Sequence, residues 1–325
     1  MSKAYIAGTG MAVPSRAITN DDLSKIVDTS DEWIRTRTGI KERRISMGEN
    51  TSDLAYEASK IALEDAGILG SDLDMIIVAT ITPDCYTPSV SCMLQEKLGA
   101  VDASCFDISA ACSGFIYGLR VANQFIMSNE CKNILVIGAE VLSKFTNWKD
   151  RNTCILFGDG AGAVVVKKGE KEGILSVITG ASGEKGKYLN CPALPLENPF
   201  YKPPTEVLSL VSMDGKEVFK FATGVMVEAI ERLLRENNLT IEDIRYIVPH
   251  QANLRILNYA ANKLKIDVDR FFINLDIYGN TSAASVPMAL HELNNKVELK
   301  DGDKLILVGF GGGLTWGGAL IVWRE

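Results

Sequence analysis

Residues 107 to 119 read DISAACSGFIYGL, with Cys112 among small neighbours. Val101 to Ile108 has the composition of a short strand. Phe115, Ile116, Leu119 and Ala122 through Phe125 have the spacing of a helix with one apolar face. Cys112 therefore falls where a strand hands over to a helix. Unpaired backbone N–H groups and the positive end of a helix dipole at such a place favour thiolate over thiol. The competing reading is a buried cysteine packed as a small hydrophobe. A nucleophilic thiol needs partners, and the chain has only two histidines. His250, in IVPHQANLRI, follows a buried-looking strand, the end of a strand being where α/β sites collect. His291, in VPMALHELNNKV, lies within an amphipathic helix and reads as a surface residue. Cys, His and a nearby Asn would serve a protease or a thioester hydrolase. They would equally serve a carbon–carbon bond-forming enzyme, in which His and Asn donate hydrogen bonds to a carbonyl that becomes an enolate. The glycine-rich FGGGLTWGG (310–318) adds backbone able to lie close to a substrate oxygen, or simply a tight turn between two strands.

The elements that must position these residues recur. TSDLAYEASKIALEDAGI (51–68) precedes the strand MIIVAT (75–80) as FKFATGVMVEAIERLLRENNL (219–239) precedes YIVPHQ (246–251). ILVIG (134–138) is echoed by LILVG (305–309), and GAGAVVV (160–166) by GGALIVW (317–323). Near-continuous apolar runs of this kind are strands buried on both faces, the pattern of a mostly parallel sheet covered by helices. The chain reads as two similar α/β halves, 1–172 carrying Cys112 and 173–325 carrying His250 and Asn280. The counterpart of Cys112 in the second half falls in GNTSAAS (279–285), after an expected strand FFIN (271–274). Pseudo-symmetric halves would bring these two small-residue turns face to face, with Asn280 near Cys112. The proline-rich CPALPLENPFYKPPTE (191–206) reads as an exposed insertion or as a cover for a pocket or subunit interface.

Composition narrows the function. A length of 325 residues suggests about two units, and a net charge of -7 argues against binding nucleic acid through a general basic surface. Seven cysteines with no CxxC resemble neither a disulfide framework nor a zinc site, and suit reduced thiols in a cytoplasmic protein. No apolar stretch approaches a membrane span, and the N-terminal apolar run is too brief for a signal peptide. In the early GTGMAV, Val13 stands where the dinucleotide fingerprint needs Gly or Ala, which weakens a dehydrogenase reading.

Taken together, Cys112 in AACSGF, His250 in VPHQANLRI, Asn280 in GNTSAAS and the terminal FGGGLTWGGALIVW resemble the β-ketoacyl-acyl-carrier-protein synthase III family. The likeness runs from DTSDEWIRTRTGIKERR (28–44) through FGDGAGA (157–163) to the last strand. Thiolases use a second late cysteine, and none follows Cys191; elongating condensing enzymes pair the cysteine with two histidines, and here the second place is Asn. The resemblance implies the thiolase fold, two similar halves in a five-layer α-β-α-β-α arrangement, as a homodimer. It also implies the initiating condensation of fatty-acid synthesis. Acetyl-CoA or another short acyl-CoA acylates Cys112, and malonyl-acyl carrier protein then condenses with it by decarboxylation, with no metal or redox cofactor. The backbone N–H groups of Cys112 and Gly312 would form the oxyanion hole, with His250 and Asn280 as enolate donors. Thr29, Trp33, Arg37 and Arg151 would meet coenzyme A, and Gly215, Phe219 and Asn253 its pantetheine arm. Without the resemblance, DEWIRTR reads as a helix with an exposed basic edge. Tyr86, Thr87 and Phe310 would shape the acyl pocket, Thr87 replacing a phenylalanine that in many members crosses the dimer interface. Lys220, Arg255 and Lys263 would dock an acidic carrier protein. The alternative is a starter-selective polyketide or secondary-metabolite synthase of the same group.

Overall fold

The computed structural model describes residues 3–205 and 208–324; Glu206, at the end of the proline-rich segment, and the outermost residues of both expected halves lie outside the described residues. Nine strands form the two main sheets. They are β1 (Lys3–Ala12), β2 (Met75–Ala79), β3 (Ser104–Ile108), β4 (Asn133–Glu140), β5 (Gly160–Gly169), β6 (Ile174–Ala181), β7 (Tyr246–Pro249), β8 (Lys304–Gly311) and β9 (Thr315–Val322). The helices that matter here are α1 (Asp31–Thr38), α2 (Thr51–Asp65), α3 (Val90–Leu98), α4 (Gly114–Met127), α5 (Gly215–Glu236), α6 (Leu254–Leu264) and α7 (Ser285–Lys296).

The first sheet runs β1-β5-β4-β2-β3 and the second β6-β9-β8-β7, with parallel pairing inside (β4, β2 and β3; β8 and β7) and antiparallel pairing at the β1 and β6 edges. The two orders superpose element for element. Where β3 has five residues, however, the second half has one isolated parallel bridge, Phe271 to Ile247. FFIN is therefore not a strand, because Asn274 spends its backbone carbonyl on the short helix that follows. The first-half strand is likewise shorter than expected, starting at Ser104 rather than Val101.

Helices α2 and α3 cover the outer face of the first sheet and α5 the outer face of the second, with α6 packed on α5, while α4 and α7 contact both sheets from between them. That is five layers, α-β-α-β-α. The middle position of α4 follows from its sequence. Phe115, Ile116, Leu119, Ala122 and Ile126 recur at helical spacing, and all are fully buried. Burying each large side chain is worth roughly 1.5–3 kcal/mol, so this helix is a tie between the halves as well as a mount for Cys112. The outer helices begin at polar caps: the Asn50 side chain accepts from Thr51 N–H, Asp214 from Lys216 and Glu217 N–H, and Asn253 from Arg255 N–H. Neither α4 nor α7 has a side-chain cap. Their first N–H groups face the centre of the molecule instead.

The final glycines of the two echoed strand motifs explain each other. A Cβ on Gly138 would lie 2.1 Å from the Ala283 carbonyl oxygen, and one on Gly309 would lie 3.1 Å from the Cys112 carbonyl oxygen. Each half thus presents a bare strand residue to the tight turn of the other. These turns, Ala111–Ser113 and Ser282–Ala284, are single 3-10 turns leading into α4 and α7. Both hold a non-glycine residue in the left-handed region, Ala111 at φ 46° and Ser282 at φ 51°. They pack against one another as pseudo-symmetry predicts.

Candidate active site

Cys112 sits in the first of these turns and is 8% exposed. It opens on a cavity of about 410 Å³ whose lining also includes His250, Asn280 and Phe310 at the inner end and Trp33, Arg37 and Arg255 further out. The groups that favour its ionised form are the Ser282 hydroxyl from the facing turn and the backbone N–H groups of Cys112 itself and of Gly312. Despite these donors and the end of α4, burial pushes the thiol up to about 12. The expected thiolate is therefore not the resting form: desolvation outweighs these donors, and the nearby Glu140 carboxylate adds to the rise. Cys105 and Cys154 do not line the cavity, and burial raises each to about 11.

His250 follows β7 and is 1% exposed. Burial lowers it to about 3, so the ring is neutral. Its Nδ1 lies 2.6 Å from Ser285 Oγ, and its ring stands nearly perpendicular to that of Phe310 with centroids 5.2 Å apart. When the serine hydroxyl donates to Nδ1, the proton sits on Nε2 and the ring is a hydrogen-bond donor. Asn280 is oriented in the same sense. Its Oδ1 accepts the Ser282 N–H at 2.9 Å, which leaves the amide nitrogen as the group to offer a ligand. The inner end of the cavity therefore carries one thiol and several neutral N–H donors.

Toward solvent the lining passes Phe219, Gly215 and Asn253 to Trp33 and Arg37. Asn253 caps α6 through Oδ1 at 2.9 Å from Arg255 N, so only its amide nitrogen is uncommitted. Guanidinium groups of Arg37 and Arg151 lie over the Trp33 ring, 4.4 and 5.1 Å from its centroid. Helix α1 does present an exposed basic edge, but its Trp33 and Arg37 turn into the cavity mouth. Thr29 and Arg151 stand outside the lining; the Thr29 hydroxyl is shielded without a hydrogen-bond partner, and Arg151 meets the Asp28 carbonyl at 3.1 Å.

Other expected residues are elsewhere. Tyr86 and Thr87 are exposed and do not line the cavity of their own chain, because they sit on the turn before α3. Of the basic trio only Arg255 lines the mouth; Lys220 is exposed on α5 and Lys263 lies at the far end of α6. The eight residues from Arg255 to Lys263 correspond to about 12 Å of helix. Lys216, one turn before Lys220, does line the cavity and was missed by sequence reasoning, although its i,i+4 spacing was visible. Residues 191–205 do not line it either. Leu194, Leu196 and Phe200 in that segment are exposed, while the short ribbon from which it projects contributes Leu189 and Met213.

Gly311 was also missed. A Cβ there would stand 2.7 Å from the Cys112 Cβ and 2.9 Å from its sulfur, whereas at Gly312 the closest atom is 3.4 Å away. Gly311→Ala should therefore displace the sulfur from the neighbouring N–H groups and slow acylation of Cys112 by a thioester about 100-fold, the scale of an ångström misplacement. Gly312→Ala keeps its N–H and should lose no more than about 5-fold; single-turnover loading followed by intact-mass spectrometry separates the two.

Comparison with known proteins agrees with this geometry. Residues 106–183 match the family model described as 3-oxoacyl-[acyl-carrier-protein (ACP)] synthase III, and residues 234–323 its C-terminal counterpart. The chain is 57% identical over 324 residues to the β-ketoacyl-[acyl-carrier-protein] synthase III of Clostridium novyi and 54% identical over 325 residues to that of Clostridium acetobutylicum, covering 100% of each chain in both cases. The crystal structure of the synthase III from Aquifex aeolicus superposes with a TM-score of 0.92 at 46% identity, covering 98% of this chain and 100% of that one. The priming β-ketosynthase of the R1128 polyketide pathway also superposes with a TM-score of 0.92, at 34% identity over 98% of this chain and 96% of that one. Shape does not separate these two relatives; sequence identity favours the first. With its thiolase-type fold and a Cys, His and Asn converging on one cavity, the chain belongs to the β-ketoacyl-acyl-carrier-protein synthase III family of condensing acyltransferases.

Proposed function

We propose that this chain transfers a short acyl group from acyl-CoA to Cys112 and condenses it with malonyl-acyl carrier protein, starting fatty-acid synthesis. The observation that carries this reading is the convergence of the Cys112 sulfur, two backbone N–H groups, His250 and Asn280 at one end of a long cavity. In acyl transfer the sulfur attacks the thioester carbonyl, and the oxyanion takes the N–H groups of Cys112 and Gly312. Coenzyme A departs along the arm past Phe219 and Asn253, with its charged end at Arg37 and Arg151 and Trp33 offering a stacking face. The malonyl thioester then enters, loses CO2, and its enolate oxygen meets the neutral N–H donors of His250 and Asn280. The enolate carbon attacks the acyl-cysteine, giving a 3-oxoacyl-acyl carrier protein. Every developing charge meets an N–H donor, so the reaction as written needs no metal or redox cofactor.

A cytoplasmic homodimer is part of the same proposal. Thr87 and Tyr86, exposed on their own chain, would reach the acyl pocket of a second copy. Among the described residues no helix is long and apolar enough to cross a membrane. The polyketide alternative is not favoured, because relatives named β-ketoacyl-[acyl-carrier-protein] synthase III match at 57% and 54% identity over the whole chain, against 34% for the priming ketosynthase.

Two experiments test the reading. His250→Ala and Asn280→Ala should lower malonyl-acyl carrier protein decarboxylation and condensation about 100-fold or more while lowering acetyl loading of Cys112 less than about 10-fold, since only the former places enolate charge on these donors. Equal loss of both half-reactions would make His250 the base for the thiol. For the carrier protein, Arg255→Glu should raise KM for malonyl-acyl carrier protein roughly 10-fold at low salt with little change in acetyl loading, since charge reversal beside the mouth replaces attraction with repulsion. Unchanged carrier-protein kinetics at low salt would remove Arg255 from the docking surface.

A further inference from the structure

Arg43 lies in the two-stranded ribbon of Ala17–Thr19 and Glu42–Arg44, and it is fully buried. A guanidinium keeps its charge at physiological pH, and taking one out of water is costly unless its donors are matched. The carboxylate next to it in sequence does not match them, because Glu42 pairs with Arg44 at 3.1 Å. The acceptors of Arg43 are neutral oxygens on two separate segments. Nη1 donates to the Ile18 carbonyl at 3.1 Å and to Asn20 Oδ1 at 2.8 Å, and Nη2 donates to the Ile155 carbonyl at 2.8 Å. Nε is buried without a hydrogen-bond partner.

One side of this grip is a fixed base. The Asn20 amide donates to Asp31 Oδ1 and to the Ile40 carbonyl, both at 2.8 Å, and so holds the first residue of α1 and the chain just beyond its end. The other side is the segment that carries Asn280. Ile155, Leu156 and Phe157 line the cavity, and Phe157 forms a parallel bridge with Asn280. Asn280 N–H donates to the Leu156 carbonyl at 2.8 Å, and Gly158 N–H donates to the Asn280 carbonyl at 3.0 Å. Both backbone groups of Asn280 are thereby committed to residues 156–158, and its Oδ1 to the Ser282 N–H. The place of its amide nitrogen follows from theirs. Missing side chains let Arg43 reach both partners of the bridge: a Cβ on Gly158 would lie 3.2 Å from the Arg43 Cβ, and one on Gly279 would lie 3.3 Å from it.

We propose that Arg43 is a positioning residue for condensation: by holding the Ile155 carbonyl against a ribbon anchored to α1 through Asn20, it fixes residues 155–158 and, through them, the point from which Asn280 offers its N–H. The planar fork of a guanidinium suits acceptors on two segments, whereas the single ammonium of a lysine does not. None of these hydrogen bonds reaches the turn of Cys112 or the glycines after β8. Acyl transfer therefore tolerates a loss that condensation does not. The assignment deepens the condensation reading above and rests on it for the half-reaction affected.

The test is a double-mutant cycle between Arg43→Met and Asn280→Ala, with hydrogen–deuterium exchange as a readout that needs no substrate. Arg43→Met should lower kcat for malonyl-acyl carrier protein decarboxylation about 30-fold, approaching the effect of an ångström misplacement, and acetyl loading of Cys112 at saturating acetyl-CoA less than about 3-fold. In the Asn280→Ala background the same substitution should cost less than about 3-fold, since a residue that works through Asn280 then has nothing to position. Exchange of peptides spanning 153–159 and 276–282 should quicken about 10-fold in Arg43→Met, while β8 exchanges at the wild-type rate. Equal loss of both half-reactions, an undiminished effect in the Asn280→Ala background, or unchanged exchange in the two peptides would overturn the assignment. A wild type that never decarboxylates malonyl-acyl carrier protein would overturn the functional reading instead, with the exchange result still deciding whether Arg43 holds the Asn280 segment. Should Arg43→Met fail to fold, Arg43→Lys decides by the same measurements, with a loss of about 10-fold in decarboxylation that Asn280→Ala again abolishes.

Discussion

Everything in this molecule is arranged around the contact between two tight turns, Ala111–Ser113 and Ser282–Ala284. Each turn is the place where a central helix begins, and each helix is buried between two sheets, so the turns meet only if both halves are in register. Close approach is made possible by missing side chains: Gly138 and Gly309 admit the backbone of the opposite turn, and Gly311 admits the sulfur. Uncapped helix starts then leave N–H groups at the centre of the protein, where a substrate oxygen can use them.

The same contact sets the electrostatics. A site this deep tolerates few charges, and its groups accordingly rest neutral: the thiol raised to about 12, the imidazole lowered to about 3. Neutral donors suit an enolate and an oxyanion, since they stabilise charge as it forms without first creating charge of their own. The ionisable exception is Glu140, raised to about 7 and held by four hydrogen bonds. Its hydrogen bond to the opposite half comes from Ser282, so the buried carboxylate helps to pair the turns.

Much of this was legible in the sequence. Duplication was visible because buried parallel strands are written as long apolar runs, and ILVIG against LILVG marks equivalent strands whose last glycines have equivalent tasks. Pairing Cys112 with the GNTSAAS turn followed from that symmetry alone. FFIN misled, because β-branched and aromatic residues suit any half-buried extended segment, while the ladder is decided by where neighbouring backbone groups bond. The thiolate expectation failed because a sequence displays a helix start but not the depth at which it is buried. Glu140, Ser282 and Ser285 were silent for a related reason: an acid at the end of a strand and serines in a small-residue turn carry no signal of role until the fold sets Ser282 on Glu140 and Ser285 on His250. Lys263 and Lys220 share a sign with Arg255, yet distance along α6 and position on α5 keep them off the cavity.

The central claim is that the buried sulfur of Cys112 carries the acyl group between two substrates. Incubation with isotopically labelled acetyl-CoA, peptide mapping, and a chase with malonyl-acyl carrier protein tests it directly. The account predicts label on the peptide bearing Cys112, stable until the chase and then recovered in 3-oxoacyl-acyl carrier protein. Label on the peptides of Cys105 or Cys154, or its release as free acetate without a new carbon–carbon bond, would contradict it.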